Sequence, residues 1–101
     1  MSRKKNKRNV DRSVKYAMIC LAGTRCMYCG KKVGSEITWH HLKPRYAGGK
    51  DTLENASLLC SNCHCHIHKF QWGTDVYRQL TEKILQNREE FTGREWEFSF
   101  D

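Results

Sequence analysis

Residues 39–68 read WHHLKPRYAGGKDTLENASLLCSNCHCHIH, and the rest of the chain is organised around this stretch. It begins with the adjacent pair His40 and His41, has Asn55 near its middle, and ends with His64 and His68. Histidine is a common metal ligand and its side chain titrates near neutral pH. Several histidines in so short a stretch therefore indicate a site with its own chemistry.

Two short strands are predicted here. The first covers Glu36–His41, where apolar side chains alternate, and the second covers Ala56–Leu59. Between them, Pro44 and a pair of glycines predict a loop. Side chains on a regular strand alternate between faces, so His40 and His41 can serve one site only if the strand bends or ends there.

A helix is predicted over Cys63–Phe70. On it His64 and His68 are separated by one helical turn and share a face. His66 points elsewhere and is expected to be exposed, and Cys65 is interpreted as a spare thiol. The helix would therefore present two histidines towards the strands.

Two Cys-x-x-Cys pairs frame the stretch, Cys26 with Cys29 and Cys60 with Cys63. Two intervening residues allow both sulfurs of a pair to reach one tetrahedral ion. Two such pairs in 101 residues predict a structural zinc bound by all four cysteines. A chain of this size has a small core, so the metal would contribute strongly to folding.

The six cysteines could also indicate a secreted disulfide scaffold. The start of the sequence is charged and lacks the apolar segment of an export signal, so we expect reduced thiolates and a cytoplasmic location. No apolar run approaches the roughly 18 residues of a membrane span, and no membrane association is expected.

The positive charge is concentrated in the first half. Residues 1–50 have thirteen Lys/Arg and two acids, whereas residues 51–101 have five and nine, which gives about +11 and −4. A basic half favours a polyanionic partner because each neutralised phosphate releases counterions, although it could simply confer solubility.

Residues 1–9 are predicted to be a disordered basic arm, which either contacts phosphates or is a solvated tail. Residues 10–101 are predicted to form a single domain. The candidate phosphate-binding side chains come from the arm and from the loop between the strands: Arg3, Lys4, Lys5, Lys7, Arg8, Lys43, Arg45 and Lys50.

A helix is predicted on each side of the central stretch. The first covers Asp11–Ala22, with Asp11 or Asn9 as its cap and Gly23 as its stop. Its apolar stripe is Val14, Ala17, Met18 and Leu21, with Cys20 buried near it. The second covers Thr74–Phe91, with Thr74 as its cap and a buried stripe of Val76, Leu80 and Ile84.

The sequence ends with Trp96, Phe98 and Phe100 alternating with charged or small residues. This alternation predicts a strand over Glu95–Phe100. Its apolar face would pack on the domain or on another chain.

The four histidines match the needs of phosphodiester hydrolysis. A divalent ion polarises the phosphate and stabilises the leaving oxygen, while a histidine accepts the proton of the attacking water. His64 and His68 on the helix and His40 at the strand end would bind the ion. His41 would be the base.

The sequence resembles the HNH endonucleases, the ββα-metal or His-Me finger nucleases, in the subgroup framed by two Cys-x-x-Cys pairs. The resemblance covers 26–68 and implies an α+β fold, a small ββα-metal finger with a four-cysteine zinc site and a helix on each side. The residues that carry it are His40-His41, Pro44, Gly48-Gly49, Asn55, Leu58-Leu59-Cys60, Cys63-His64 and Ile67-His68.

The resemblance also implies roles. His40 would be a metal ligand at a position where the family often has aspartate, and His41 the general base. Asn55 would fix the loop and help to orient the base, and His64 and His68 would be ligands. A neutral ligand in place of a carboxylate would shift the preference from Mg²⁺ towards Mn²⁺, Ni²⁺ or Zn²⁺.

The resemblance implies DNA cleavage, possibly nicking, in a bacterial or phage-infected cell, by a monomer, a homodimer or part of a larger phage or bacterial complex. Two alternatives are open. The chain could be a zinc-ribbon module that binds DNA without cutting it, or an accessory subunit of a phage packaging or restriction complex. An unliganded His41 beside three metal-binding histidines favours the nuclease.

Overall fold

Three helices and two strands make up the part of the chain that the computed structural model describes, residues 11–100. In chain order these are α1 and the strands β1 and β2, followed by α2 and α3. Their bounds are Arg12–Ala22, Thr38–His41, Ala56–Leu59, Ser61–Ile67 and Asp75–Thr92. The arrangement confirms the predicted α+β class, with a ββα finger between an N-terminal and a C-terminal helix.

The two strands form an antiparallel hairpin in which Thr38 lies opposite Leu59 and His41 opposite Ala56. The second strand has the predicted bounds, but the first is shorter than predicted. The residues before it, Gly34–Glu36, form a 3₁₀ turn, and the N–H of Ile37 donates to the carbonyl of Gly34. The backbone there bonds within its own turn and cannot join the sheet.

The loop between the strands turns on two glycines, as predicted. Gly48 has a φ of +94°, a conformation that favours glycine. A side chain on Gly49 would place its Cβ 1.7 Å from the carbonyl oxygen of Lys43. The paired glycines therefore let the loop fold back on its own first residues.

Helix α2 begins and ends earlier than the predicted Cys63–Phe70. It begins at Ser61 because the sulfur of Cys60 accepts the N–H of Cys63 and caps the first turn. The N–H of His68 still donates to the carbonyl four residues back, but those of Lys69 and Phe70 donate to carbonyls only three residues back, which tightens the chain and ends the helix.

Helix α1 has the predicted cap and stop. Asp11 Oδ1 accepts the N–H of Ser13, and Gly23 ends the helix at a φ of +74°. Met18 is fully buried where α1 packs against α3 and β2. The predicted burial of Cys20 is wrong. Cys20 is two residues after the buried Met18, which corresponds to roughly 200° around the helix, and its thiol is exposed to solvent. Leu21, also in the predicted stripe, is exposed.

Helix α3 also begins at its predicted cap, Thr74, and its buried face is formed by Tyr77, Thr81, Ile84 and Arg88. The predicted stripe was therefore partly wrong, because Val76 is exposed. The true face includes three polar side chains, which an apolar pattern cannot identify.

The buried arginine of α3 links this helix to the start of β2. Its Nη1 donates to the carbonyls of Glu54 and Ala56, at 2.7 and 3.0 Å, and its guanidinium lies over the ring of Trp96. Burial lowers the pKa of Arg88 to about 10, which still leaves it charged at neutral pH. This cation therefore fixes the backbone on both sides of Asn55.

The predicted strand over Glu95–Phe100 is absent from the described residues. The segment packs through its rings: Trp96 is buried, and Phe98 and Phe100 contact Trp72. The sequence left open whether this segment packs on the domain or on another chain, and the structure shows that it contacts the domain itself. Within residues 11–100 no helix is long and apolar enough to cross a membrane.

We predict that Arg88→Ala lowers the free energy of unfolding by about 3 kcal/mol, because two charged hydrogen bonds and a buried stem are lost. Urea unfolding followed by circular dichroism measures this. Glu90→Ala, an exposed residue on the same helix, is the control and should shift stability by less than about 0.5 kcal/mol. Equal unfolding midpoints for the two variants would contradict the role of Arg88.

Candidate metal and catalytic site

The four cysteines predicted to bind zinc lie together. One sulfur from each of Cys26, Cys29, Cys60 and Cys63 lies within 4.8 Å of the others. Burial opposes ionisation of Cys26, but backbone N–H groups, first that of Cys29, lower its pKa to about 7. Burial raises the pKa of Cys29 and of Cys63. Four thiols this close cannot all ionise without a cation between them, so the donor set fits zinc.

A second cluster is formed by His40, His64 and His68. One ring nitrogen from each lies within 4.8 Å of the others, close enough for three ligands of a single ion. His40 comes from β1, and the other two come from one turn of α2 and its C-terminal cap. The hairpin thus places one histidine against the helical pair.

The histidine cluster is built for uncharged rings. Burial, followed by the neighbouring imidazoles, holds the pKa of His40 well below its usual value. Burial and then His68 lower the pKa of His64 to about 4. Both rings are therefore neutral near pH 7, which is the form that binds metals.

Two hydroxyl groups contact these rings from outside the cluster. Thr38 Oγ1 lies 2.9 Å from Nδ1 of His64 and donates to the carbonyl of Leu59. The hydroxyl of Tyr77 lies 3.3 Å from Nε2 of His40 and donates to the carbonyl of Leu42. Each ring thus has one of its two nitrogens occupied.

The second histidine of the doublet has a different partner. Nε2 of His41 lies 2.5 Å from Oδ1 of Asp51, and the same oxygen accepts from Nη1 of Arg45 at 2.7 Å. A carboxylate can only accept, so Nε2 of His41 must carry the proton and Nδ1 has a free lone pair. The ring is set up to accept a proton through Nδ1.

All four histidines line one cavity of about 670 Å³. The strand ends at His41, so both members of the doublet border the same space although they have different partners. The other lining residues are Trp39, Pro44, Arg45, Tyr46, Phe70, Gln71 and Tyr77. A phosphate group entering here would meet the metal-binding set and the candidate base together.

Asn55 is buried and fixes the loop. Its Oδ1 accepts the N–H of Lys43, and its Nδ2 donates to the carbonyls of Lys43 and Lys50. The side-chain hydrogen bonds described for Asn55 go to the loop backbone, whereas His41 is contacted by Asp51.

The basic residues differ in their positions. Arg45 is paired with Asp51 at the cavity, the Nζ of Lys43 lies over the ring of Trp72, and Lys50 is exposed on the loop. The predicted contacts of Arg3, Lys4, Lys5, Lys7 and Arg8 lie outside the described residues.

Three residues of the site were missed from the sequence: Thr38, Asp51 and Tyr77. The first two had weak signals, a hydroxyl two residues before His40 and an acid in a basic loop. Tyr77 had none, because it reaches the site only through the packing of α3.

A two-stranded hairpin and a following helix that share a histidine cluster, framed by a four-cysteine cluster, define a ββα-metal finger. The HNH endonuclease family matches residues 26–70, which include every member of both clusters. The chain belongs to the HNH endonuclease family.

Two relatives are similar to this chain over about sixty residues each. Anaredoxin of Nostoc sp. (strain PCC 7120) is 36% identical over 58 residues, which cover 57% of this chain and 75% of that protein. The type IV methyl-directed restriction enzyme EcoKMcrA of Escherichia coli K12 is 30% identical over 66 residues, or 58% of this chain and 24% of the enzyme. The chain thus spans about a quarter of the restriction enzyme.

We predict that Cys60→Ser prevents folding, because the thiol belongs to the sulfur cluster and also caps α2. Metal analysis of the purified chain and its thermal melt measure this. The matched control is Cys65→Ser on the same helix, which removes an exposed thiol outside the cluster. Parental zinc content and melting in the Cys60 variant would contradict the structural site.

Proposed function

We propose that the chain is a metal-dependent DNA endonuclease. The observation that supports this most is the position of His41 on the same cavity as the three-histidine cluster, with its Nε2 held by Asp51. A metal site that only stabilises the fold has no use for an oriented, unliganded imidazole beside it.

His40, His64 and His68 would hold one divalent ion, and the four cysteines would hold a structural zinc. The bound ion would polarise the phosphate and stabilise the leaving 3′ oxygen. Three neutral ligands are compatible with Mg²⁺ and favour Mn²⁺, Ni²⁺ or Zn²⁺.

His41 would take the proton of the attacking water through Nδ1. Its Nε2–H donates to Asp51, which keeps this tautomer and stabilises the imidazolium that forms. Arg45 is paired with the same carboxylate and balances its negative charge beside a polyanion. Asn55 would hold the loop that carries these side chains.

DNA is proposed as the substrate for three reasons: the chain belongs to the HNH endonuclease family, its first half is strongly basic, and one cavity is lined by the metal-binding set and the candidate base. Lys43 and Lys50 on the loop and the basic arm at residues 1–9 would contact phosphates. From the restriction enzyme we carry over only the cleavage of phosphodiester bonds, because this chain matches 24% of that enzyme. The name of the Nostoc relative does not specify a nuclease, so the proposal depends on the site.

We further propose that residues 10–101 act as one nuclease domain in the cytoplasm of a bacterial or phage-infected cell. One catalytic metal site per chain suits nicking by a monomer, and a homodimer or a larger complex could cut both strands.

We predict that His41→Ala abolishes cleavage of supercoiled plasmid, because the base is lost while both metal clusters remain. Agarose-gel assays with Mg²⁺, Mn²⁺ or Ni²⁺ measure nicked and linear products. His66→Ala is the control, since it removes an exposed histidine of α2 that lies outside the cluster.

Plasmid binding by the parent with no cleavage in any metal would refute the nuclease and leave a DNA-binding zinc module. Cleavage by His41→Ala at the parental rate would refute the base assignment instead.

We predict that Asp51→Asn lowers kcat by at least about tenfold with little change in KM, because an amide can donate to Nε2 and favour the wrong tautomer. Asp75→Asn, an exposed acid in the first turn of α3, is the control. A loss confined to KM would mean that Asp51 acts in DNA binding and not on the base.

A further inference from the structure

We propose that Thr38 and Tyr77 are positioning residues for the three-histidine cluster, each fixing the tautomer of the ring that it contacts. His64 then presents Nε2 to the metal, and His40 presents Nδ1. The inference rests on the proposed metal site, but it concerns the ring nitrogens and can be tested without cleavage.

The contact of Thr38 determines the proton on His64. The hydroxyl of Thr38 has one proton, and it donates that proton to the carbonyl oxygen of Leu59 at 2.6 Å. A carbonyl oxygen can only accept, so the threonine oxygen is left as an acceptor. Nδ1 of His64, 2.9 Å away, must then donate, and the free lone pair is on Nε2.

The contact of Tyr77 acts in the same way on His40. The phenol donates to the carbonyl of Leu42 at 3.0 Å, and its oxygen lies 3.3 Å from Nε2 of His40. Nε2 of His40 is then the donor, and Nδ1 has the free lone pair.

The two contacts share one design. Each hydroxyl gives its proton to a main-chain carbonyl of the hairpin, that of Leu59 at the end of β2 or that of Leu42 just after β1, so the folded backbone decides the tautomer. A ring with the wrong tautomer would point an N–H group at the cation. Partners of this kind typically change metal affinity by about 10- to 100-fold.

Tyr77 lies outside the region that matches the family, residues 26–70. It is on α3, and it reaches His40 because α3 packs across the hairpin. The role of this helix is therefore to complete the metal site as well as to support the fold.

The direct test is NMR of the chain with ¹⁵N-labelled histidine and a single equivalent of zinc, which is enough for the four cysteines and leaves none for the histidine cluster. Long-range ¹H–¹⁵N correlations should show a protonated Nδ1 on His64 and a protonated Nε2 on His40. The opposite tautomer on either ring would overturn the proposal for that ring. This test needs no variant that could fail to fold.

Affinity for Ni²⁺, measured by calorimetry on the zinc-loaded chain, is the second readout. We predict that Thr38→Val and Tyr77→Phe each weaken Ni²⁺ binding by about 10- to 100-fold, because they remove a hydroxyl and nearly preserve shape. Thr38→Ser should restore parental affinity. Tyr16→Phe, which removes an exposed hydroxyl on α1, should leave it unchanged.

Equal affinity of the valine and serine variants would refute the role of Thr38, and parental affinity in Tyr77→Phe would refute that of Tyr77. These outcomes are separate from nuclease activity. The stated tautomers in a chain that cuts no DNA would refute the nuclease alone, whereas cleavage with reversed tautomers would refute this inference alone.

Discussion

Helix α2 is the element on which the rest of the structure depends, because its few residues belong to both clusters. Its first turn is capped by the sulfur of Cys60 and includes Cys63, and one helical turn separates His64 from its C-terminal cap, His68. A helix of seven residues is too short to be stable alone in water. The sulfur cluster therefore fixes the position of the helix, and the helix fixes the position of the histidines.

The two strands depend on the same constraint. Two isolated strands are marginally stable in water, and here each has four residues. They are held by the packing of α2, and side chains of α3 bond to carbonyls at the start of β2 and in the irregular segments around the hairpin: Asn87 to Met27 and Tyr28, Arg88 to Glu54 and Ala56, and Tyr77 to Leu42. A polar face on α3 can thus hold irregular backbone that an apolar stripe would leave unpaired.

The pairs within both clusters could be predicted because their spacing is local. Cys-x-x-Cys and His at i and i+4 each bring two ligands together within one turn, whereas the hairpin is needed to bring one cysteine pair to the other and His40 to the helical histidines. Thr38, Asp51 and Tyr77 could not be predicted in this way, because their roles depend on which atom of a folded loop or helix approaches a ring. The prediction of a C-terminal strand over Glu95–Phe100 was wrong for a related reason. Alternation shows that one side of a segment is apolar, but it does not show whether a backbone partner exists.

The use of histidine at position 40 changes the electrostatics of the site. A carboxylate there would partly neutralise a bound cation, whereas the buried His40 and the half-buried His64 have lowered pKa values and are uncharged near pH 7. In the proposed nuclease, a three-imidazole set would leave the whole charge of a divalent ion to face the phosphate. The nearby carboxylate of Asp51 is directed instead at His41 and balanced by Arg45. Negative charge is thus kept where a proton would be accepted and away from where a phosphate would bind, an arrangement suited to attack by water on a polyanion.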